Sequence, residues 1–359
     1  MNIIDFNKCP YSDRHGTYGG MAGYKDGVIY NGENWIVKYP KATREVMKGE
    51  NVISYTTSPL SEYIGSHIFE ILGYCVHKTL LVDRNDKIAV ACKDFCKNRG
   101  DLVEMRTIKN SGNELLSAEL QVEFHDSKTG EAVNLKELLL HFRNNPIFRD
   151  IPSVIPNFWE TAIIDILIDN NDRNNGNRGL LYDDSQKKYS LAPVYDNGNC
   201  FNNKMTEDKV EKHLAEDKKA FSDYACGSRT AYMSGGHTIS AKKFISMEDP
   251  DLNVALIKVV PNIHSHLDEI KRMIEDIPEE YNGKQVCTQS RKELYCRFID
   301  ERYENLLYPA FDRALTAEKY SELPVTERLK RAKELSLIRE KIRPKKNIGD
   351  AIRDKNQSI

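Results

Sequence analysis

The chain has 359 residues, and at roughly 100–200 residues per domain that length points to two lobes. Hydrophobic residues make up 40% and charged residues 30%, enough apolar material to bury a core and too much for a disordered tail. Lys plus Arg (52) nearly cancel Asp plus Glu (54), which excludes a chain-wide basic field for nucleic acid or an anionic membrane.

The eight cysteines are dispersed, without a CxxC pair or zinc-site spacing, as expected of reduced thiols. Met1 to Phe6 shows no basic-then-apolar leader, and no apolar run approaches the ~18 residues of a membrane span. The expected location is therefore cytoplasmic.

In chain order, the segment Gly16 to Lys25 comes first. Its Gly19, Gly20 and Gly23 would let backbone N–H groups approach phosphates, although it is neither a Walker A nor a regular GxGxxG motif. Val28 to Tyr30 and Trp35 to Tyr39 flank Asn31-Gly32-Glu33-Asn34, the pattern of a β-hairpin. Ser58-Pro59 opens a helix as N-cap and first helical residue, Gly73 closes it, and Leu60, Ile64, Ile68, Ile71 and Leu72 form its buried stripe. Two strands follow, Val76 to Val82 and Lys87 to Cys92, around the turn Asp83-Arg84-Asn85-Asp86.

Residues 97–150 read as mixed, with a capped helix from Asn134 to about Phe142. Another helix begins at Asn157, with Glu160 at capping-box spacing, and delivers the chain through Leu167 into a polar loop, Asn170 to Asn177. Strands are expected at Gly179 to Tyr182 and Tyr189 to Leu191, loop over 200–240, and helices to Leu306 and from Thr326 to Ile342. The last helix sets a basic, solvated face over a stripe of Val325, Leu329, Ala332, Leu335 and Ile338.

The polar loop carries the chemistry. Phosphoryl transfer from ATP needs a carboxylate to orient the acceptor hydroxyl, oxygen ligands for magnesium, and a lysine on the phosphates. Asp172 and Asn177 stand at the spacing of a catalytic loop's acid and amide. Asp196, in Asp196-Asn197-Gly198 beyond the strand-turn-strand unit, offers a second oxygen to the same hard cation. Lys38 ends a strand and is the candidate for the phosphates, and Glu62 lies on a helix from which it could pair with that lysine. An Asn/Asp-rich surface turn is the commonplace use of such residues; the apolar helix feeding the loop, the flanking strands and the upstream lysine favour function.

Together these residues resemble the HipA-like serine/threonine protein kinases from about Tyr18 to Phe201. The matching motifs are Trp35-Ile36-Val37-Lys38-Tyr39-Pro40, Ser61-Glu62-Tyr63, Lys93-Asp94-Phe95, Asn171-Asp172-Arg173-x3-Asn177 and Leu191-Ala192-Pro193-x-Tyr195-Asp196. The resemblance implies an α+β, two-lobed protein-kinase-like fold. A strand-rich N-lobe over residues 1–96 would hold the phosphate loop and ATP lysine, and a mainly helical C-lobe over 97–359 the catalytic loop, the metal-binding segment and the C-terminal helices. It implies ATP and Mg²⁺ as cofactors, with Asp172 as catalytic base, Asn177 and Asp196 as magnesium ligands and Lys38 on phosphate. Gly19, Gly20, Gly23, Lys25 and Glu62 would surround the nucleotide, and the backbone from Lys93 to Phe95 would form the adenine hinge.

The implied activity is transfer of the γ-phosphate to Ser/Thr hydroxyls, with autophosphorylation. Thr17, Tyr18, Ser222, Tyr224, Ser228, Thr230 and Tyr232 are the hydroxyls in the regions concerned. A lipid or small-molecule kinase and a non-catalytic nucleotide-binding pseudokinase are the alternatives. The expected partners are an unidentified protein substrate and an antitoxin or regulatory protein, with neither membrane nor nucleic acid among them. Family members commonly carry a histidine where this chain has Asn174, a departure expected to change loop packing more than chemistry.

Overall fold

The computed structural model describes residues 2–17, 25–47, 50–98, 101–317 and 325–344. Its N-terminal part is built on a five-stranded sheet in the spatial order Ile4–Asp5, Thr79–Arg84, Lys87–Lys93, Glu33–Lys38, Lys25–Tyr30. All neighbours are antiparallel except the first pair, in which Ile4 lies beside Val82 in parallel. Both hairpins close on two residues with positive φ, Asn31-Gly32 (50° and 76°) and Asn85-Asp86 (53° and 59°), the turn whose twist matches that of the strands. Glu33, Asn34, Asp83 and Arg84, expected in turns, are therefore strand residues.

Alternation along the strands sends Val37, Val82, Ala89 and Ala91 to one face, with Phe6, Val28 and Trp35, and Leu81, Val90 and Cys92 to the other. Against that second face lies the helix Ser58–Ile71, which buries Leu60, Ile64 and Ile68 as its periodicity requires. Thr57 rather than Ser58 occupies the N-cap, without a side-chain cap bond, and Gly73 turns the chain at φ 82°. A further antiparallel hairpin, Ala42–Met47 with Glu50–Tyr55, has no counterpart in the sequence expectations. The strand expected from Val76 begins only at Thr79, because Val76 leaves the sheet to form an isolated parallel bridge with Val194.

Beyond residue 104 the chain is mainly helical. The helix Val154–Leu167 runs through the core against Pro250–Glu275, which in turn packs on Tyr308–Ala317. It starts three residues before the expected Asn157, because Pro156 fits the first helical turn, where no N–H partner is lost. Glu160 is accordingly no capping residue; it accepts from Tyr74 Oη at 3.0 Å and pairs with Lys258 at 2.6 Å.

Residues 200–206 are loop as expected, but 207–240 are not. They form the helices Glu207–Leu214 and Lys218–Cys226 and the hairpin Arg229–Ser234 with His237–Ser240. The helices are short and bury only Val210, and Phe221 with Ala225, too few apolar positions to display a period. The 16-residue helix Met105–Leu120 is hidden in the same way, burying the apolar side chains of Met105, Ile108 and Leu116 alone.

In the C-terminal helix Val325–Ile342, Ile338 packs on the core and Arg339 reaches Asp312 at 2.6 Å. The stripe residues Val325, Leu329, Ala332 and Leu335 lie outside the described side chains. All eight cysteines are free thiols, and among the described residues no helix is long and apolar enough to cross a membrane.

Candidate active site

A three-stranded antiparallel sheet, in the order Lys188–Leu191, Gly179–Asp183, Leu102–Glu104, supports the polar loop. With Leu180 opposite Leu191, the residues just before the Gly179 strand and just after the Leu191 strand emerge at one end of the hairpin. Asn177 and Asp196 thereby share one cleft.

The loop is fixed from beneath by Arg173. Its guanidinium, 2% exposed, donates to Asp165 Oδ2 and Oδ1 at 3.0 Å each and to the carbonyls of Asn177, at 3.3 Å, and Tyr195; a further bond goes to the Asn197 side chain. One buried cation thus ties the end of the Val154–Leu167 helix to both arms of the hairpin. Asp172 sits above it. Asn174 Nδ2 donates to Asp172 Oδ1 at 2.9 Å, while Asn174 Oδ1 accepts the Gly176 N–H at 2.8 Å. Asn174, expected to affect packing more than chemistry, therefore holds the proposed base directly. Burial, with Asp196 nearby adding to it, raises the Asp172 pKa against these hydrogen bonds, a direction that suits proton acceptance.

Asn177 Nδ2 donates to Asp172 O at 2.6 Å and to its carboxylate at 3.3 Å. With the amide nitrogen spent there, its oxygen points the other way. Across the cleft, Lys38 Nζ donates to Glu62 Oε2 at 2.7 Å and to Asp196 Oδ1 at 3.0 Å. Burial opposes the lysine's charge, but Asp196 and then Glu62 outweigh it and hold its pKa above the ordinary value. Glu62 is itself 1% exposed; burial disfavours its ionisation, and the Lys38 charge followed by a His77 hydrogen bond keeps its pKa well below the usual carboxylate range.

Lys38, Asp172, Asn174, Asn177 and Asp196 line a cleft of about 890 Å³ that also contains Lys25, Lys41, Ile36, Leu102, Phe95 and Tyr195. Phe95 and Tyr195 lie with ring centroids 5.8 Å apart on the cleft wall. The Lys93 and Asp94 N–H groups bond Lys78 O at 2.8 Å and Asn34 O at 2.9 Å, and Arg14 clamps Asp94 Oδ2 at 2.6 Å and Cys96 O at 2.9 Å. The Lys93 side chain bends away to Glu33 at 2.5 Å. Lys25, beside Lys38, has its pKa lowered by burial and then by that neighbouring charge.

The structure therefore brings together Lys38, Glu62, Asp172, Asn177 and Asp196, with Lys25, Lys93 and Phe95 on the cleft wall. Gly19, Gly20 and Gly23, like Tyr18, lie outside the described residues. Thr17 lines the cleft, whereas Thr230 and Tyr232 are buried and unsuited to accept phosphate. The supporting residues Asp165, His77, Asn197 and, in its anchoring role, Arg173 were missed. An acid inside the apolar run of a helix, as at Asp165, was the one signal that could have found them.

No family model matches the chain. It is 30% identical over 320 residues to the serine/threonine-protein kinase CtkA of Helicobacter pylori, covering 88% of this chain and 90% of that protein. The crystal structure of the H. pylori proinflammatory kinase CtkA matches with a TM-score of 0.73 and 27% identity, over 88% of this chain and 99% of that one. A Shewanella oneidensis complex of the toxin–antitoxin proteins HipA and HipB with operator DNA aligns at a TM-score of 0.49 and 15% identity, over 86% and 68%.

Proposed function

The chain belongs to the HipA-like serine/threonine-protein kinase family that includes CtkA, and on that premise we propose that it transfers the γ-phosphoryl of ATP, with Mg²⁺, to Ser or Thr hydroxyls of a protein. The observation that carries this reading is the convergence of Lys38, held by Glu62 and Asp196, with Asp172 and Asn177 in one cleft.

The donor set fits the ion. Asp196 supplies a carboxylate and Asn177 an amide oxygen turned away from Asp172, and such oxygen ligands suit hard Mg²⁺. When bound with the nucleotide, the metal neutralises charge on the phosphates. Lys38 holds the phosphates from the opposite wall, and the segment Lys93 to Phe95 with Tyr195 receives the base. Asp172 orients the acceptor hydroxyl and takes its proton as the acceptor oxygen bonds to the γ-phosphorus. The bond from that phosphorus to the bridging oxygen breaks, and ADP leaves. The lobes divide near residue 96, at the strap clamped by Arg14.

The test is phosphate incorporation into the chain itself, by intact mass, and into a generic protein acceptor such as casein, for the native chain beside Asp172→Ala and Asp196→Asn. Transfer should fall by at least about 10³-fold in both variants and vanish with a chelator. Equal incorporation by the native chain and Asp172→Ala, or label that enters extracted lipid and no protein, would overturn the proposal.

A further inference from the structure

Both oxygens of the Glu62 carboxylate are engaged by defined donors. Oε2 takes Lys38 Nζ at 2.7 Å, and Oε1 takes the Asn197 N–H at 2.8 Å and His77 Nε2 at 3.0 Å. A carboxylate oxygen only accepts, so His77 Nε2 carries the hydrogen, which it shares with Ser66 Oγ at 3.1 Å. The main chain of His77 is equally committed. Its N–H donates to Val194 O at 3.0 Å in the short parallel bridge of Val76 with Val194, and the Val194 N–H returns to Cys75 O at 2.8 Å. One buried residue therefore grips Glu62 through its ring and the strand leading to Asp196 through its backbone.

Glu62, His77 and Cys92 form a buried group whose ligand atoms lie within 4.8 Å of one another. Lys38 Nζ already supplies the positive charge at Glu62, so hydrogen bonding rather than a metal ion satisfies the carboxylate.

We infer that His77 is a positioning residue for the phosphate-binding lysine. It fixes the rotation of the Glu62 carboxylate, hence the place of Lys38 Nζ, and couples both to the segment bearing Asp196. The inference rests on the kinase reading above. Without this donor Glu62 Oε1 keeps only the Asn197 N–H, the carboxylate gains a rotation, and the ammonium is no longer held at one point. The loss falls on the phosphate end of the nucleotide, because the base lies at the Lys93 to Phe95 end of the cleft.

The experiment compares Mg²⁺-ATP and adenosine affinity, by calorimetry, together with phosphate transfer, for the native chain, His77→Phe and His77→Gln. His77→Phe should weaken Mg²⁺-ATP and slow transfer about tenfold each while adenosine stays within about twofold, and His77→Gln, whose amide N–H can donate to the same oxygen, should recover both to within about threefold. Unchanged ATP affinity in His77→Phe, or ATP and adenosine weakened together, overturns the inference. A native chain that binds ATP but transfers nothing would sink the kinase reading and leave the ATP-against-adenosine contrast to decide on His77. If His77→Phe does not fold, His77→Asn, too short to reach Glu62, is judged by the same contrast.

Discussion

The interior of the site depends on one carboxylate serving two cations, which makes the effect of removing each charge calculable. Asp165 takes Arg173 at 3.0 Å on both oxygens, and Arg178 stands 3.7 Å from its Oδ2. At an effective dielectric of about 20, a unit pair at the shorter distance attracts by ~5.5 kcal/mol and at the longer by ~4.5 kcal/mol before desolvation. Both guanidinium groups are buried; Arg178 rests on Phe158 and Tyr232, and burial lowers its pKa. Asp165→Asn therefore strands two positive charges, whereas Arg173→Met leaves the carboxylate still facing Arg178. With several kcal/mol of desolvation charged to each unpaired ion, Asp165→Asn should cost about 4–5 kcal/mol of stability and Arg173→Met about 2–3 kcal/mol. The double substitution should cost about 2 kcal/mol less than the sum of the two, since the pair is then counted once. Urea unfolding at neutral pH, followed by circular dichroism, measures all three. Transfer activity should not return in the double variant, because the Arg173 bonds to Asn177, Tyr195 and Asn197 are lost in it too. The reasoning fails if Arg173→Met is the more damaging single change, or if the two effects add to within about 0.5 kcal/mol.

A Cβ at Gly65 would lie 2.9 Å from both Asn197 Cβ and Cys200 Sγ, so Gly65→Ala should cost about 1–3 kcal/mol and push Glu62 away from the segment bearing Asp196. A thermal melt should show the first effect and a loss of transfer larger than the melt explains should show the second. Asn174→Ala removes the shorter of the two amide bonds to the Asp172 carboxylate, and steady-state kinetics should show kcat falling about tenfold with little change in the KM for ATP. Buried His141 has its pKa lowered from 6.5 to about 4 by burial and then by the Lys109 charge, so the unfolded chain protonates first as pH falls. Stability should decline from about pH 6.5 downward by up to ~3 kcal/mol, and the decline should be shallower in His141→Gln. Asp196 is 35% exposed and Glu62 1%. Denaturant unfolding should accordingly find Asp196→Asn within about 1 kcal/mol of the native chain and Glu62→Gln about 2–4 kcal/mol below it, with transfer lost in both.

The residues proposed to meet the reacting groups were picked out by constraints local in sequence, and the structure sets Lys38, Asp172, Asn177 and Asp196 in one cleft. Asp172 and Asn177 stand five residues apart on one loop, Asp196 follows a hairpin that returns to the same end, and Lys38 ends a strand. Arg173 adjoins Asp172 and was visible, yet its anchoring role depends on Asp165, eight residues back, and Asn197, twenty-four ahead, which no spacing rule connects. The β-formers from Val76 onward read as strand and carry His77 with them; the bridge to Val194 that pulls it out is a contact between distant segments. The elements between 200 and 240 were hidden for another reason. They are held by caps, such as Asp217 accepting from the Ala220 N–H at 2.9 Å, and by one or two apolar anchors each, so little of their stability is written as a periodic pattern.

The two acids on Lys38 are held unequally, and that inequality shows how the cleft can be both fixed and responsive. Glu62 is buried and receives the lysine, His77 and the Asn197 N–H, so moving it would break three charge-assisted or buried bonds at once. Asp196 is a third exposed, sits at φ 60°, and shares its carboxylate with Lys38 at 3.0 Å within reach of solvent. An exchange of partners at Lys38 therefore proceeds at Asp196 and leaves Glu62 in place. Under the proposed function the lysine would keep one anchor while its second bond is traded for a phosphate oxygen, and the Asp196 oxygen so released would be free to take Mg²⁺. Arg173 makes this trade possible without collapse, since it holds the Tyr195 carbonyl and the Asn197 side chain on either side of Asp196 and so keeps the backbone fixed while the carboxylate changes partner.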